Sequence, residues 1–212
     1  MLRKRPPAGA TTSFCVRAVA TPPRESAPAN RDGDYPAHVV CAWRDADGTI
    51  VRIRPITVAD AELIRQFVRA LSAEARYMRF MAAVHELAPQ TVDLLTRIDH
   101  QRDAALIATV HNGAADRVVG VARYARNADG YSYDFAVVVG DDWRRRGLGR
   151  RLMTLLVETA AARGLNEIGG DVLAINQPML AFANALGFGV SASNDPTVRR
   201  VLLNLDQRRA SA

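Results

Sequence analysis

The stretch Asp134 to Leu156, DFAVVVGDDWRRRGLGRRLMTLL, changes character twice within 23 residues. Asp134 to Val139 is β-branched and almost continuously apolar, the pattern of a strand buried on both faces. From Gly147 the period becomes helical. Leu148, Leu152, Leu155, Leu156 and Thr159 fall on one stripe, and Arg150, Arg151 and Glu158 fall on other faces. Between strand and helix stands Arg144-Arg145-Arg146-Gly147-Leu148-Gly149. Its two glycines strip Cβ atoms from a turn that feeds a helix N-terminus. The unpaired N–H groups of a first turn, together with the helix dipole, favour an anion there. Arg144, Arg145, Arg146 and Arg150 add positive charge around the backbone of Gly147, Leu148 and Gly149. The unit reads as a diphosphate cradle. It is not a Walker A loop, which requires Gly-Lys-Ser/Thr, and Leu152 stands where a dinucleotide fingerprint needs its third glycine.

The chain has 212 residues, enough for one domain with a full core and a tail. Hydrophobic residues at 49% and charged residues at 24% are ordinary globular values. The net charge of +6 is unevenly placed: residues 1–31 hold six basic side chains and one acid, so nearly all the excess lies there. The near-neutral remainder argues against a nucleic-acid surface. Cys15 and Cys41 form neither a metal-ligand nor a redox spacing, and His38, His85, His100 and His111 show no ligand spacing, so no metal is expected. No stretch reaches membrane-spanning length, and a cytoplasmic location is expected. Lys4 is the sole lysine. Compositional bias toward arginine accounts for this. The functional alternative is a domain that cannot modify lysines of its own.

Residues 1–36 are rich in proline and poor in large apolar side chains, so they are expected to form a disordered basic tail. A folded domain is expected over 37–207, followed by a short tail, 208–212. Strands are expected at Val39–Trp43 and Thr49–Arg54 around an Asp-Ala-Asp-Gly turn. A helix follows, opened by Thr57 and Asp60, with a second from Ser72 to Phe80 and a third from Pro89. Strands at Ala104–Val110, Arg117–Ala125 and Tyr131–Val139 precede the helix that Gly164 closes. A strand at Ile168–Ile175, a helix from Asn176-Gln177-Pro178 to Gly187 and a strand at Thr197–Leu205 complete the order. Seven strands and interspersed helices make an α/β mixed sheet.

Arg144-x-x-Gly147-x-Gly149 after a strand resembles motif A of the GNAT N-acetyltransferases, and the element order is similar to theirs. Asp47-Gly48-Thr49, Ile53-Arg54-Pro55-Ile56, Leu71 to Phe80 (LSAEARYMRF) and Ile98-Asp99-His100 together resemble one branch, the bacterial protein-lysine acetyltransferases. The resemblance covers roughly residues 35–205. It implies a GNAT fold, a mostly antiparallel central sheet flanked by helices, with acetyl-CoA as co-substrate. It also implies roles: the cradle for the pyrophosphate, Val137, Val138 and Val139 along the acyl arm, and Asn176, Met179 and Phe182 along the pantetheine. A backbone N–H from Val138 or a neighbour would polarise the thioester carbonyl.

Asp134 aligns with the glutamate that serves related lysine acetylases as general base, one methylene shorter here. The plainer reading of Asp134 is a strand-start aspartate that bonds a nearby backbone N–H. Ala183 occupies the place where many GNAT enzymes carry an acidic tyrosine. Arg76, Tyr77, Arg79 and His100 are implied on the acceptor side; the alternative places Tyr77 in the core and the arginines in solvent. The expected reaction is acetyl transfer to a primary amine, with a protein lysine on a partner such as a metabolic enzyme first. A small-molecule amine or a non-catalytic acetyl-CoA-binding regulator are the alternatives.

Overall fold

The computed structural model describes residue 35, residues 37–113 and residues 115–206. The expected tails, 1–36 and 208–212, lie outside the described residues, with one exception. Tyr35 packs onto the domain: its hydroxyl accepts the Ala105 N–H at 3.0 Å and meets His100 Nδ1 at 2.9 Å, and Arg163 stacks over its ring at 4.6 Å. The folded unit therefore reaches at least to Tyr35.

Two strands, β1 (Cys41–Arg44) and β2 (Ile50–Pro55), form a hairpin, and helices α1 (Ala61–Ala70), α2 (Ala73–Phe80) and α3 (Pro89–Thr96) follow. Then come β3 (Ala104–His111), β4 (Asp116–Arg126) and β5 (Tyr133–Val139), helix α4 (Leu148–Ala162), β6 (Glu167–Leu173), α5 (Gln177–Ala185), β7 (Gly189–Ala192) and β8 (Val198–Asn204). All eight strands belong to one sheet of order β1-β2-β3-β4-β5-β6-β8-β7. Strand β7 escapes the sequence pattern because all four of its residues are exposed, so no apolar alternation marks it.

Helices cover both faces. Leu148, Leu152, Leu155 and Leu156 of α4 pack with Phe135, Ile168, Val172 and Phe188 on one face. Ile64, Phe67, Val68 and Phe80 from α1 and α2 pack with Val92, Ala105 and Ile107 on the other. The start of α1 is tied to the sheet by Asp60, only 4% exposed at its side chain. Asp60 accepts two hydrogen bonds from Arg54, at 2.8 and 2.7 Å, and the Thr57 N–H at 2.8 Å. The Thr57–Asp60 signal first makes a 3-10 turn, Val58–Asp60, which runs into α1. Burial pushes the Asp60 carboxyl up, but the Arg54 and Thr57 hydrogen bonds outweigh it and hold the group below the ordinary carboxylate range.

One join departs from the rest. Every neighbouring pair in the sheet is antiparallel except β5 with β6, which run parallel and share a single register pair, Asp134 with Gly169. Beyond that pair the two strands part.

Candidate active site

The parting leaves Phe135 to Val139 without register partners on β6. Which backbone groups face the gap follows from the β4 pairing. Gly140 donates its N–H to Val119 O at 2.9 Å, so Gly140 and, by alternation, Val138 turn their polar groups toward β4. Phe135 turns the other way: a Cβ on Gly170 of β6 would stand 3.1 Å from its carbonyl oxygen. Val137 and Val139 share the parity of Phe135 and present their N–H groups to the gap. The donor expected from Val138 or a neighbour thus falls to the neighbours.

A cleft of about 530 Å³ occupies this gap. Its floor is the strand from Phe135 to Val139. One end reaches the start of α4 at Arg144, Arg145, Gly147, Gly149 and Arg150, and one wall is Asn176, Met179 and Phe182 of the β6–α5 segment. All of these except Phe135 and Ala136 are among the residues expected there from the sequence.

Gly147 is the N-cap of α4 with φ +91°, a left-handed conformation that glycine alone adopts without strain, and it caps the helix with no side chain. The first intrahelical bond runs from Arg151 N–H to Gly147 O at 3.0 Å. The N–H groups of Leu148, Gly149 and Arg150 therefore have no intrahelical partner and remain available to an anion. Two expectations change here. Arg146 turns away from the cleft: it donates to Asp45 at 2.9 Å and Asp47 at 2.7 Å in the β1–β2 turn and stacks over Trp143 at 5.0 Å. The Leu148 side chain is fully buried in the core, so only its backbone can serve a ligand. Arg144 lines the cleft while pairing with Asp141 at 3.0 Å. Asp141 also accepts the N–H and hydroxyl of Ser72 at 2.8 and 3.0 Å, which fastens the start of α2 to the cradle loop. Asn176 caps α5, its side-chain oxygen accepting the Met179 N–H at 3.2 Å, so its amide NH₂ is left to donate.

The opposite wall is α2, through Glu74, Ala75, Met78 and Arg79. Of the four residues expected on the acceptor side, only Arg79 lines the cleft. Arg76 donates back to the carbonyls of Leu71 and Arg69, capping the end of α1. Tyr77 is exposed on another face of α2. His100 is buried against Tyr35. Glu74, Ala75, Met78 and Arg79 form one face of α2 at i, i+1, i+4, i+5 spacing, and Arg76 and Tyr77 fall outside it.

Asp134 is the second residue of β5, one after Tyr133, and it is not a free base beside the cleft. Its side chain is 9% exposed, bonds Arg200 Nη2 at 2.5 Å and does not line the cleft. Arg200 lies on β8 opposite Asp171 of β6, and its other nitrogen approaches Asp171 at 3.4 Å. To reach Asp134 the guanidinium crosses β6 over Gly169: a Cβ there would meet it at 2.6 Å. Burial pulls the Arg200 pKa down, but the hydrogen bond and charge of Asp134, with Asp171, raise it overall. Asp171, 15% exposed at its side chain, does line the cleft. Sequence reasoning missed Asp171, Glu74 and Arg200. The available signal was Gly169-Gly170 in mid-strand, which marks a close approach by another group. Ala183, at the vacant tyrosine position, is fully buried in the core.

A model of the acetyltransferase (GNAT) family matches residues 66–188, from within α1 to the end of the α5 turn. Acetyltransferase PA5475 of Pseudomonas aeruginosa is 35% identical over 167 residues, covering 78% of this chain and 86% of that protein. Acetyltransferase Pat of Mycolicibacterium smegmatis is 28% identical over 136 residues, 64% of this chain and 40% of that longer protein. Among solved structures, the GNAT domain of S. lividans PAT superposes with a TM-score of 0.73 at 29% identity, covering 80% of this chain and 99% of that one. The parted strands and the uncapped glycine turn thus sit in a chain that belongs to the GNAT acetyltransferase family.

Proposed function

We propose that this acetyltransferase moves the acetyl group of acetyl-CoA to the ε-amine of a lysine on a protein acceptor, a metabolic enzyme being the expected class. The observation that carries the transfer is the open β5 edge ending at the uncapped start of α4. A diphosphate accepts hydrogen bonds from the Leu148, Gly149 and Arg150 N–H groups, with Arg144, Arg145 and Arg150 balancing its charge. The Asn176 amide donates to the pantetheine arm, and Met179 and Phe182 cover it. The Val137 or Val139 N–H donates to the thioester oxygen as it gains charge.

The amine enters from the α2 side. Its nitrogen lone pair attacks the thioester carbon, the C–S bond breaks, and CoA leaves as thiolate. An ammonium with a pKa near ~10.4 must first lose a proton, and the amine must lose a second after attack. In this reading one proton passes to water and the other to Asp171, which lines the cleft and which Arg200 holds beside Asp134, and from there to the thiolate or to water. Holding both reactants in one cleft supplies much of the rate.

The lysine acceptor is supported by the Leu71–Phe80 and Ile98-Asp99-His100 strings, which resemble the protein-lysine branch, and by the likeness to two Pat proteins. One observation favours a small cationic amine instead: two carboxylates, Glu74 and Asp171, line the cleft and would suit a diamine. Labelled acetyl-CoA added with the enzyme to a cell lysate separates the two. Label in protein, mapped to lysine, supports the first reading; label confined to small molecules supports the second. No enzyme-dependent label in either overturns both.

A further inference from the structure

We propose that Asp171 is the group that receives the acceptor's ammonium, and that Arg200 is a positioning residue that holds Asp171 and Asp134 side by side. The inference rests on the acetyl-transfer reading and adds to it the residue that meets the amine.

Strand parity places the cluster. Gly170 faces Phe135, on the α4 side of the sheet, so Gly169 and Asp171 project on the α2 side. Asp134 shares that side, being even-numbered with Ala136 and Val138, and Val138 packs against the α1–α3 core. This is the side from which an acceptor approaches, because α4 and α5 cover the other.

Arg200 treats its two carboxylates unequally. It holds Asp134 at 2.5 Å and Asp171 at 3.4 Å, the latter beyond a strong hydrogen bond. Asp134 is therefore neutralised by its own partner, whereas Asp171 retains most of its accepting capacity and lines the cleft. Two carboxylates and one guanidinium sum to −1, which attracts an ammonium. Arg200 keeps its proton at all working pH values, so its guanidinium offsets one of the two carboxylates throughout. Gly169 is the enabling residue: any side chain there would collide with the guanidinium and, at 2.9 Å, with Val201 O.

The part of Asp171 is to hold the ammonium at the thioester; one proton passes to water before attack, which frees the nitrogen lone pair, and Asp171 takes the second as the C–N bond forms and the nitrogen becomes strongly acidic. The proton then leaves with the thiolate or to water, so charge and atoms balance.

The test needs no knowledge of the acceptor. S-(2-aminoethyl)-CoA carries a tethered ammonium just beyond the sulfur, and S-propyl-CoA is its uncharged isostere. In wild type the ammonium form should bind about tenfold or more tighter, the size of a charge-assisted hydrogen bond. In Asp171→Asn, isosteric and neutral, that preference should fall to within about twofold, with S-propyl-CoA affinity kept within about threefold. Asp171→Glu should keep part of the preference. Equal binding of the two ligands by wild type, or a preference that survives in Asp171→Asn, overturns the inference. Should neither ligand bind wild type, the acetyl-CoA reading itself fails and takes the inference with it. Melting curves identify unfolded variants, for which Asp171→Glu carries the comparison.

Discussion

At the scale of single residues, the cleft depends on where side chains are missing as much as on where they stand. Gly169→Ala should push Arg200 off Asp134, because the new methyl would meet the guanidinium at 2.6 Å and Val201 O at 2.9 Å. Overpacking of this kind typically costs about 1–3 kcal/mol. The melting temperature should fall, and kcat should fall with it while acetyl-CoA affinity holds, because the cradle lies at the other end of β5. Asp134→Asn is a related test. Loss of the charge frees Arg200 to close on Asp171, so the amine KM should rise and kcat/KM should drop by about tenfold or more, the size of a lost charge-assisted contact to the amine. Steady-state kinetics at saturating acetyl-CoA would show it. Rates within a few-fold of wild type would remove the role assigned to Asp134, holding Arg200 off Asp171. This residue-level picture was only half legible in the sequence. Asp134 could be picked out from its place at the head of an apolar strand, but its partner Arg200 is 66 residues away and joined only by β8 pairing. Asp171 reads as an ordinary polar residue until the sheet brings Arg200 opposite it.

At the scale of elements, local signals were strong wherever a period or a cap was involved. Gly147 and Gly164 bound α4 as the left-handed positions that the helix ends require, with φ of +91° and +76°. The apolar run Asp134–Val139 announced the central strand, but no periodicity can tell that β5 and β6 share one register pair and then separate. That gap is a tertiary property, and the cleft follows from it. The anchoring of α1 is testable by pH. The Asp60 carboxyl is held below its ordinary range, so its stabilising contribution is complete above the unfolded carboxylate value of ~3.9 and is lost as pH falls through the lower folded value. Asp60→Asn should therefore flatten this part of the acid limb. It should also cost about 3 kcal/mol at neutral pH, since it strips Arg54 of its partner at a buried site. Chemical denaturation at pH 7 and at several pH values below about 3.9 measures both. Equal stability of variant and wild type at pH 7 would show that the ion pair contributes nothing net.

At the scale of the whole molecule, the order of strands and helices was legible because α/β order is written in alternating periods. The sheet gained only β7, whose four exposed residues carry no apolar signal. The boundary of the domain was less legible: proline content assigns Tyr35 to a tail, yet its ring and hydroxyl meet Arg163, His100 and Ala105. Tyr35→Ala should lower the melting temperature, whereas removal of residues 1–34 is expected to leave it unchanged. Among the described residues no helix is long and apolar enough to cross a membrane.

The central claim is that the glycine turn at the start of α4 binds the diphosphate of acetyl-CoA through its backbone, and one calorimetric titration tests it most directly. Gly147→Glu places a negative side chain at the cradle. A Cβ at this position clears Trp43 by 3.7 Å, and the left-handed backbone costs about 1–2 kcal/mol, so the variant should still fold. Acetyl-CoA titrated into wild type should bind one molecule per chain, and the folded variant should bind at least about a hundredfold more weakly through repulsion and blocked N–H groups. Unchanged affinity in a variant whose melting curve is cooperative would contradict the account.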